Sequence, residues 1–197
     1  MLDFVTLHLK TIHNHFKNNA YQYTLSMDLI PSFQVDHTNL HPGIYISRRD
    51  TVGGESVTTY DIRMTSPNQE PALAPSAIHT IEHIVATYLR NDEEWKDRII
   101  YWGPMGCLTG NYLIMKGEWS CEEVRQLMIR AFQYVVDYDT EVPGTTPATC
   151  GNYLLHDLPM AKWESARYVD RLKNNFCSEY NGYERPQDAT GLVFHDA

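Results

Sequence analysis

The sequence predicts an α+β fold in which a mostly antiparallel sheet packs against helices. Two segments rich in β-branched and aromatic residues flank a glycine-bearing turn, which is the pattern of a β-hairpin. A third segment, residues 120–136, instead repeats its apolar residues at the spacing of an amphipathic helix. Strand and helix segments are mixed without a regular strand–helix–strand alternation, which disfavours a parallel α/β sheet.

The hairpin is predicted over residues 43–65. Residues 43–47, Gly-Ile-Tyr-Ile-Ser, alternate in polarity and favour a strand, and residues 56–65 contain enough β-formers for a second strand. Residues 48–54 lie between them, are rich in arginine and glycine, and are predicted as the turn. A loop is then predicted from three prolines, Pro67, Pro71 and Pro75.

The first helix is predicted from about Ala77 to Leu89, with Ser76 as its N-cap. After it, residues 98–101 are apolar enough to form a short buried strand. Residues 103–106, Gly-Pro-Met-Gly, must turn, and residues 109–116 resume an extended pattern of aromatic and aliphatic residues.

A second helix is predicted through Val136 behind the N-cap Ser120. Six apolar residues fall on one of its faces: Val124, Leu127, Met128, Ala131, Phe132 and Val135. A loop at residues 143–147 leads to Cys150, and a third helix is predicted over residues 158–176, because Pro159 suits a first turn. The chain after Asn181 is predicted to be irregular.

The composition places the chain among ordinary globular proteins. Hydrophobic residues make up 43% and charged residues 21% of its 197 residues, which suffices for one domain with its own core. The formal net charge of −9 argues against binding to nucleic acid, because a phosphate backbone requires a basic surface. The sequence has neither an apolar run of ~20 residues nor a secretory pattern at its start. We therefore expect a cytoplasmic protein without a membrane or nucleic-acid partner.

The first 26 residues differ from the rest of the chain. They are polar and aromatic without a helical or strand period, and Met27 opens a stretch that could itself be a start. We expect residues 1–26 to be an N-terminal extension or a cloning artefact, and residues 27–197 to form a single domain.

A candidate metal site lies within the first predicted helix, at His79-Thr80-Ile81-Glu82-His83. Residues four apart share one face of a helix, so His79 and His83 can direct ring nitrogens at a common point. Glu82 leaves the helix beside that face. This is the reversed form of the His-Glu-x-x-His zinc motif, and two neutral imidazoles suit Zn(II), Fe(II) or Co(II).

The third ligand remains open from spacing alone. A catalytic metal site has three protein ligands and one open position, and the candidates are Glu118, Glu122, Glu123, Cys107 and Cys150. Four cysteines without close spacing, in a chain expected to be cytoplasmic, favour free thiols, ligands or nucleophiles over disulfides. Cys107 and Cys150 lie in glycine-bearing loops, whereas Cys121 and Cys177 are expected to be small buried hydrophobic residues.

Six motifs, in order and with matching separations, resemble the S-ribosylhomocysteine lyase (LuxS) family across residues 27 to about 175. The motifs are residues 32–37 (SFQVDH), 61–63 (DIR), 67–68 (PN), 79–83 (HTIEH), 104–110 (PMGCLTG), and 150–152 (CGN) followed by 156–158 (HDL). The resemblance implies a LuxS/metallohydrolase-like two-layer fold for residues 27–197 as a metal-dependent lyase domain. One position departs from the family: Tyr101 stands where many members have an aspartate that helps to bind substrate.

The resemblance also implies the activity and its residues. The reaction would cleave S-ribosylhomocysteine to homocysteine and 4,5-dihydroxy-2,3-pentanedione, the autoinducer-2 precursor, with Fe(II) as cofactor and Zn(II) or Co(II) as substitutes. The implied metal ligands are His79, His83 and Cys150, and the implied acid–base residues are Glu82 and Cys107. Substrate would be held by Ser32, His37 and Arg63, at a site shared between the two subunits of a homodimer.

That chemistry requires a Lewis acid and two acid–base groups. Glu82 is placed beside the metal ligands, and Cys107 can act from another face of the sugar if a cation stabilises its thiolate, for which we nominate Arg63. His156 and Asp157 could support the ligand Cys150, although an ordinary helix-cap role for Asp157 is equally consistent with its position.

Two other function classes remain open. In an inverzincin-type zinc metallopeptidase, Glu82 would activate a water on zinc, and a downstream carboxylate would replace the cysteine ligand. A non-catalytic, metal-stabilised binding module would need a closed four-ligand site, and the sequence offers no evident fourth ligand.

Overall fold

The computed structural model describes Phe33 and residues 35–180. The chain divides into two units, Met1–Gln34 and Val35–Ala197, and every strand and helix named here belongs to the second. The expected extension at residues 1–26, the substrate-binding candidate Ser32 and the expected irregular tail after Asn181 lie outside the described residues.

Four antiparallel strands form one open sheet in the order β1-β2-β4-β3. The strands are β1 (Gly43–Val52), β2 (Glu55–Arg63), β3 (Ile99–Pro104) and β4 (Gly110–Lys116). Within residues 35–180, three α-helices accompany the sheet: α1 (Pro75–Asn91), α2 (Cys121–Asp137) and α3 (Leu158–Asn174). An open antiparallel sheet with helices confirms the predicted α+β class.

The predicted hairpin is present as β1 and β2, but its turn is shorter than the sequence suggested. Strand β1 continues through residues 48–52, so the predicted turn there is wrong. Only Gly53 and Gly54 connect the strands, with φ angles of +60° and +84°. A two-residue hairpin turn of type I′ requires positive φ at both positions, which glycine adopts without strain.

Helix α2 matches its prediction closely. Ser120 caps it, and the side chain of Glu123 returns to the backbone nitrogen of Ser120, forming a capping box. All six residues of the predicted apolar face are buried.

Helix α1 begins earlier than predicted. Its N-cap is Ala74 and Pro75 occupies the first turn, so the predicted Ser76 cap is wrong. Pro75 begins the helix instead of extending the loop, because the first turn of a helix needs no donor from the proline nitrogen.

The predicted short strand at residues 98–101 is only partly correct. A 3₁₀ turn occupies Lys96–Arg98, and β3 follows at the edge of the sheet. Ile100 and Tyr101 are 49% and 45% exposed, so the expected burial is wrong at both residues. Apolar character alone does not distinguish an edge strand from a central one.

The core lies between the sheet and the helices. Its fully buried members come from both layers and include Ile44, Tyr60, Ile62, Leu113, Ile81, Ile84, Leu127, Phe132 and Leu172. Helix α3 is also fixed to β1 by a hydrogen bond of 2.8 Å from the hydroxyl of buried Tyr168 to the carbonyl of Gly43. Within the part of the chain that is described, no helix combines the length and the apolar composition that crossing a bilayer needs.

Candidate metal centre and reactive thiol

Helix α1 presents His79 and His83 on one face, as their spacing predicted. Their ring centroids are 4.6 Å apart and the ring planes are nearly perpendicular, at 84°. Both residues are half-buried. One helical turn thus supplies two imidazoles that approach each other edge to face.

The loop between α2 and α3 completes this group. It brings the Sγ atom of Cys150 to 3.5 Å from Nε2 of His79. Two ligands of one tetrahedral ion, with bonds of about 2.3 Å to sulfur and about 2.1 Å to nitrogen, would lie about 3.6 Å apart. The Sγ–Nε2 distance therefore fits two donors to the same metal.

The same loop fixes the orientation of both histidines. Nδ1 of His79 donates to the carbonyl of Leu155, and Nδ1 of His83 donates to the carbonyl of Pro143, both at 2.7 Å. Because a carbonyl oxygen can only accept, Nδ1 of each ring carries a proton, and in the neutral imidazole the lone pair lies on Nε2. This arrangement is typical of metal-binding histidines.

A glycine allows the loop to approach His83. Gly144 has a φ of +78°, and a Cβ there would lie only 3.1 Å from Nδ1 of His83. A side chain at this position would therefore be strained and would press on the ring.

His156 joins the group, although spacing did not identify it as a possible ligand. Donor atoms of His79, His83, Cys150 and His156 all lie within 4.8 Å of one another. The neighbouring Asp157 caps α3 by accepting from the backbone nitrogen of Met160, which is the ordinary role considered for it.

The carboxylate candidates for a third ligand are engaged elsewhere. Glu118 accepts from Ser56, and Glu122 pairs with Arg125. Glu123 belongs to the capping box of α2. Among the described residues, the donor set of two histidines and a cysteine therefore fits a metal, and none of these three glutamates joins it.

Glu82 stands beside the histidines on α1 and is half-buried. Within residues 35–180 its carboxylate makes no hydrogen bond or ion pair, so it is not committed to a structural role. Its proposed acid–base function remains a prediction.

A second polar group surrounds Cys107 in the turn between β3 and β4. Arg63, at the end of β2, is 3% exposed and forms a bidentate ion pair with Asp61, which is also buried. Nη2 of Arg63 lies 2.5 Å from Oδ2 of Asp61. Its Nη1 donates to the hydroxyl of Thr109 and lies 3.8 Å from Sγ of Cys107. The Thr109 hydroxyl is in turn 3.1 Å from that sulfur.

These contacts alter the acidity of the thiol. Partial burial alone would raise the pKa of Cys107, but its hydrogen bonds with Thr109 and the charge of Arg63 together lower that pKa below its ordinary value. Burial alone would lower the pKa of Arg63, but the Asp61 carboxylate beside it raises that pKa above its ordinary value. The guanidinium therefore stays protonated and available to the exposed sulfur.

We expect Thr109→Val to make this thiol less acidic, because it removes the hydroxyl that contributes most to lowering the pKa of Cys107. The midpoint of the pH dependence of Cys107 alkylation, followed by peptide mass spectrometry, should move to higher pH than in the wild type. Thr51→Val, on the exposed end of β1, is the matched control and should not move it. An unchanged midpoint in Thr109→Val would contradict this account of the thiol.

The remaining predicted residues take different positions. Nδ1 of His37 lies 2.8 Å from the carbonyl oxygen of Val35, and its proposed contact with substrate remains a prediction. The ring of Tyr101 lies against Gly103, and a Cβ added to residue 103 would collide with that ring.

One backbone hydrogen bond connects the turn that carries Cys107 to the approach to α1. The nitrogen of Leu73, just ahead of Pro75, donates to the carbonyl of Leu108 at 2.8 Å. The thiol and the first turn of α1 are therefore anchored to the same short segment.

Comparison with known proteins identifies the family of this chain. The S-ribosylhomocysteinase (LuxS) family model matches residues 30–179. The chain is 64% identical over 143 residues to an S-ribosylhomocysteine lyase of Phocaeicola vulgatus, a match covering 73% of this chain and 89% of the relative. It is 57% identical over 143 residues to that of Porphyromonas gingivalis, covering 73% and 90%. It is 46% identical over 157 residues to that of Desulfotalea psychrophila, covering 80% and 99%. This chain belongs to the S-ribosylhomocysteinase (LuxS) family.

Proposed function

We propose that this chain is an S-ribosylhomocysteine lyase, a carbon–sulfur lyase that releases homocysteine and 4,5-dihydroxy-2,3-pentanedione. One observation carries the proposal: the chain contains both a donor group of two histidines and a cysteine and, separately, the exposed thiol of Cys107 with a lowered pKa. Relatives that are 46–64% identical to it over 143–157 aligned residues, which cover most of their length, bear the name of this activity.

The metal centre is proposed to consist of His79, His83 and Cys150. Fe(II) is the proposed ion, with Zn(II) or Co(II) as substitutes, because imidazole and thiolate donors suit all three. When bound, such an ion acts as a Lewis acid towards a sugar carbonyl. Metal analysis of protein purified without oxygen identifies the ion, and a chain free of transition metal would contradict the assignment.

Glu82 is proposed to move protons on the side of the sugar that faces α1. The carbonyl must migrate along the ribose chain through successive proton transfers between neighbouring carbons and oxygens. A carboxylate without a competing partner can take a proton from one atom and return it to the next. This step neither consumes nor releases a net proton.

Cys107 is proposed to be the second acid–base group. Its thiolate, held by Thr109 and Arg63, can remove the proton whose loss allows β-elimination. The electron pair left by this proton then expels homocysteine as the carbon–sulfur bond breaks, and protonation of the homocysteine sulfur gives the free thiol.

Ser32, His37 and Arg63 are proposed to hold the substrate. The buried position of Arg63 gives its side chain a fixed orientation.

We also propose that the enzyme is a cytoplasmic homodimer with shared active sites. All four cysteines are free thiols, which suits a reducing compartment. Leu154 and Trp163 are 78% and 55% exposed, as expected of residues that a second copy could cover. Sedimentation as a monomer at micromolar concentration would contradict the dimer.

The decisive experiment measures thiol release from S-ribosylhomocysteine, with and without Fe(II), in the absence of oxygen. We expect homocysteine only from the metal-loaded enzyme, and no homocysteine under either condition would overturn the proposal.

Cys150→Ala separates the lyase from a metallopeptidase. Loss of a residue that is hydrogen-bonded to a metal ligand lowers metal affinity by roughly 10–100-fold. Because Cys150 is itself a proposed ligand, we expect this variant to lose more affinity than that. Cys177→Ala removes a half-buried cysteine outside the donor group and is the matched control. Full metal retention in Cys150→Ala would instead favour the inverzincin-type peptidase. A cobalt spectrum that does not respond to a substrate analogue would favour the binding module.

A further inference from the structure

We propose that Tyr180 is a positioning residue: its ring covers the buried ion pair of Asp61 and Arg63 and so holds the Arg63 guanidinium beside Cys107. Tyr180 follows α3, and the sequence motifs did not include it. The inference rests on the acid–base role proposed for Cys107 and adds to that role a residue from the segment after α3.

The ion pair lies on the face of the sheet that the three described helices do not cover. Successive side chains of a strand point to opposite faces. Ile44 of β1 and Ile62 of β2 join the core together with residues of all three helices. Their neighbours Tyr45, Asp61 and Arg63 therefore point to the other face. Such a face is ordinarily open to water, yet Asp61 and Arg63 are only 4% and 3% exposed. Another part of the chain must cover this end of the face.

The segment after α3, residues 175–180, returns to this end of the sheet. Its Cys177 carbonyl accepts a hydrogen bond of 3.0 Å from the backbone nitrogen of Ile44. Gly43 permits this approach, because a Cβ there would collide with the Cys177 carbonyl. On α2, the guanidinium carbon of Arg125 lies 5.0 Å from the centre of the Phe176 ring, at the distance of a cation–π contact. The segment is thus held against both β1 and α2.

Tyr180 reaches the ion pair through two contacts. Its ring stacks on that of Tyr45, with centroids 4.6 Å apart and planes inclined by 14°, and Tyr45 is the direct cross-strand neighbour of Asp61. Its hydroxyl lies 3.4 Å from Oδ2 of Asp61. Burial and the charge of Asp61 raise the pKa of Tyr180, so the hydroxyl stays protonated and is a donor to the carboxylate. Tyr180 therefore lies beside the carboxylate that holds Arg63.

We expect the ring to matter more than the hydroxyl. A hydroxyl bonds oxygen best at about 2.7–2.8 Å, so a contact of 3.4 Å is weak. Exclusion of water has the larger effect, because the interaction between two charges weakens as the surrounding medium becomes more polar. Nη1 of Arg63 lies 3.8 Å from Sγ of Cys107. Without the ring, water reaches the ion pair, Arg63 gains freedom to move, and its influence on the thiol falls.

The test is the pH dependence of Cys107 alkylation in the full chain, followed by peptide mass spectrometry. We expect the midpoint to rise by about one pH unit in Tyr180→Ala. An opposite charge within about 4–6 Å changes a pKa by roughly 1–3, and this variant removes only part of that effect. Tyr180→Phe keeps the ring and should bring the midpoint most of the way back. Tyr134→Ala removes an exposed tyrosine of α2 and should leave the midpoint at the wild-type value.

A second variant displaces the segment without changing Tyr180. Gly43→Ala places a methyl group against the Cys177 carbonyl and should also raise the midpoint, so the test does not depend on the folding of Tyr180→Ala. Gly151→Ala is its control, because a Cβ at that position meets nothing within 4 Å.

A purely structural residue would change the free energy of unfolding and leave the acidity of the thiol as it was. Wild-type midpoints in both Tyr180→Ala and Gly43→Ala would therefore overturn this inference. Equal rises in Tyr180→Phe and Tyr180→Ala would overturn it as well, because the hydroxyl and not the ring would then be responsible. Absence of thiol release from S-ribosylhomocysteine by the wild type would overturn the proposed function, and the alkylation midpoints would still decide whether Tyr180 acts on Cys107.

Discussion

Replacing Cys107 with alanine is expected to lower kcat by about 10²–10⁴-fold, the usual contribution of one general acid–base group. The reason is that β-elimination needs a proton acceptor away from α1, and Cys107 is an exposed thiol with a lowered pKa. The measurement is thiol release from S-ribosylhomocysteine under saturating substrate, together with the metal content of the same sample.

Metal content distinguishes a lost acid–base group from a damaged centre. Cys107→Ala should keep wild-type metal content and the same denaturation midpoint, because Cys107 lies outside the group of donor atoms. Cys177→Ala is the control for removal of a thiol and should retain wild-type kcat. Near-normal turnover in Cys107→Ala would rule out the scheme with two acid–base groups.

The second large effect is expected on stability. Arg63→Met should reduce the free energy of unfolding by about 3–5 kcal/mol, because it leaves the buried Asp61 carboxylate without its countercharge. It should also move the alkylation midpoint of Cys107 to higher pH, since the cation that favours the thiolate is gone. Urea denaturation gives the first quantity and peptide mass spectrometry the second.

A surface pair provides the matched control. Arg48 is paired with Asp50, but its side chain is 56% exposed, so Arg48→Met should change the stability by less than about 1 kcal/mol. Combining Arg63→Met with Asp61→Asn should recover part of the lost stability, because no charge is then left unpaired. Equal losses for the two arginine variants would contradict the role assigned to burial.

Elements with strong local signals could be predicted from the sequence. The capping box and the six-residue apolar face determine α2 within a single segment, and two glycines determine the hairpin turn. The start of α1 was missed because a proline can either end a loop or begin a helix. The exposure of Ile100 depends on where β3 lies in the sheet, which no local pattern encodes.

Part of the candidate site could likewise be predicted from local sequence, and part could not. His79 and His83 share a helical turn, so their spacing was sufficient to pair them. Cys150 lies 71 residues from His79, and only the resemblance to a family distinguished it from the glutamates. The contact between Arg63 and Cys107 spans 44 residues and depends on adjacent strands of the sheet. His156 carried a signal in its motif, but its contact with Thr80, 76 residues away, depends on the fold and not on a local pattern.

The loop between α2 and α3 has a consequence for how the enzyme is made. Synthesis proceeds from the N-terminus, so the histidines of α1 leave the ribosome long before Cys150 and the carbonyls that orient their rings. A nascent chain that ends before this loop has only the two imidazoles, without the thiol and without the carbonyls that orient their rings. If the group binds the proposed metal, we therefore expect metal binding only after the loop has been synthesised.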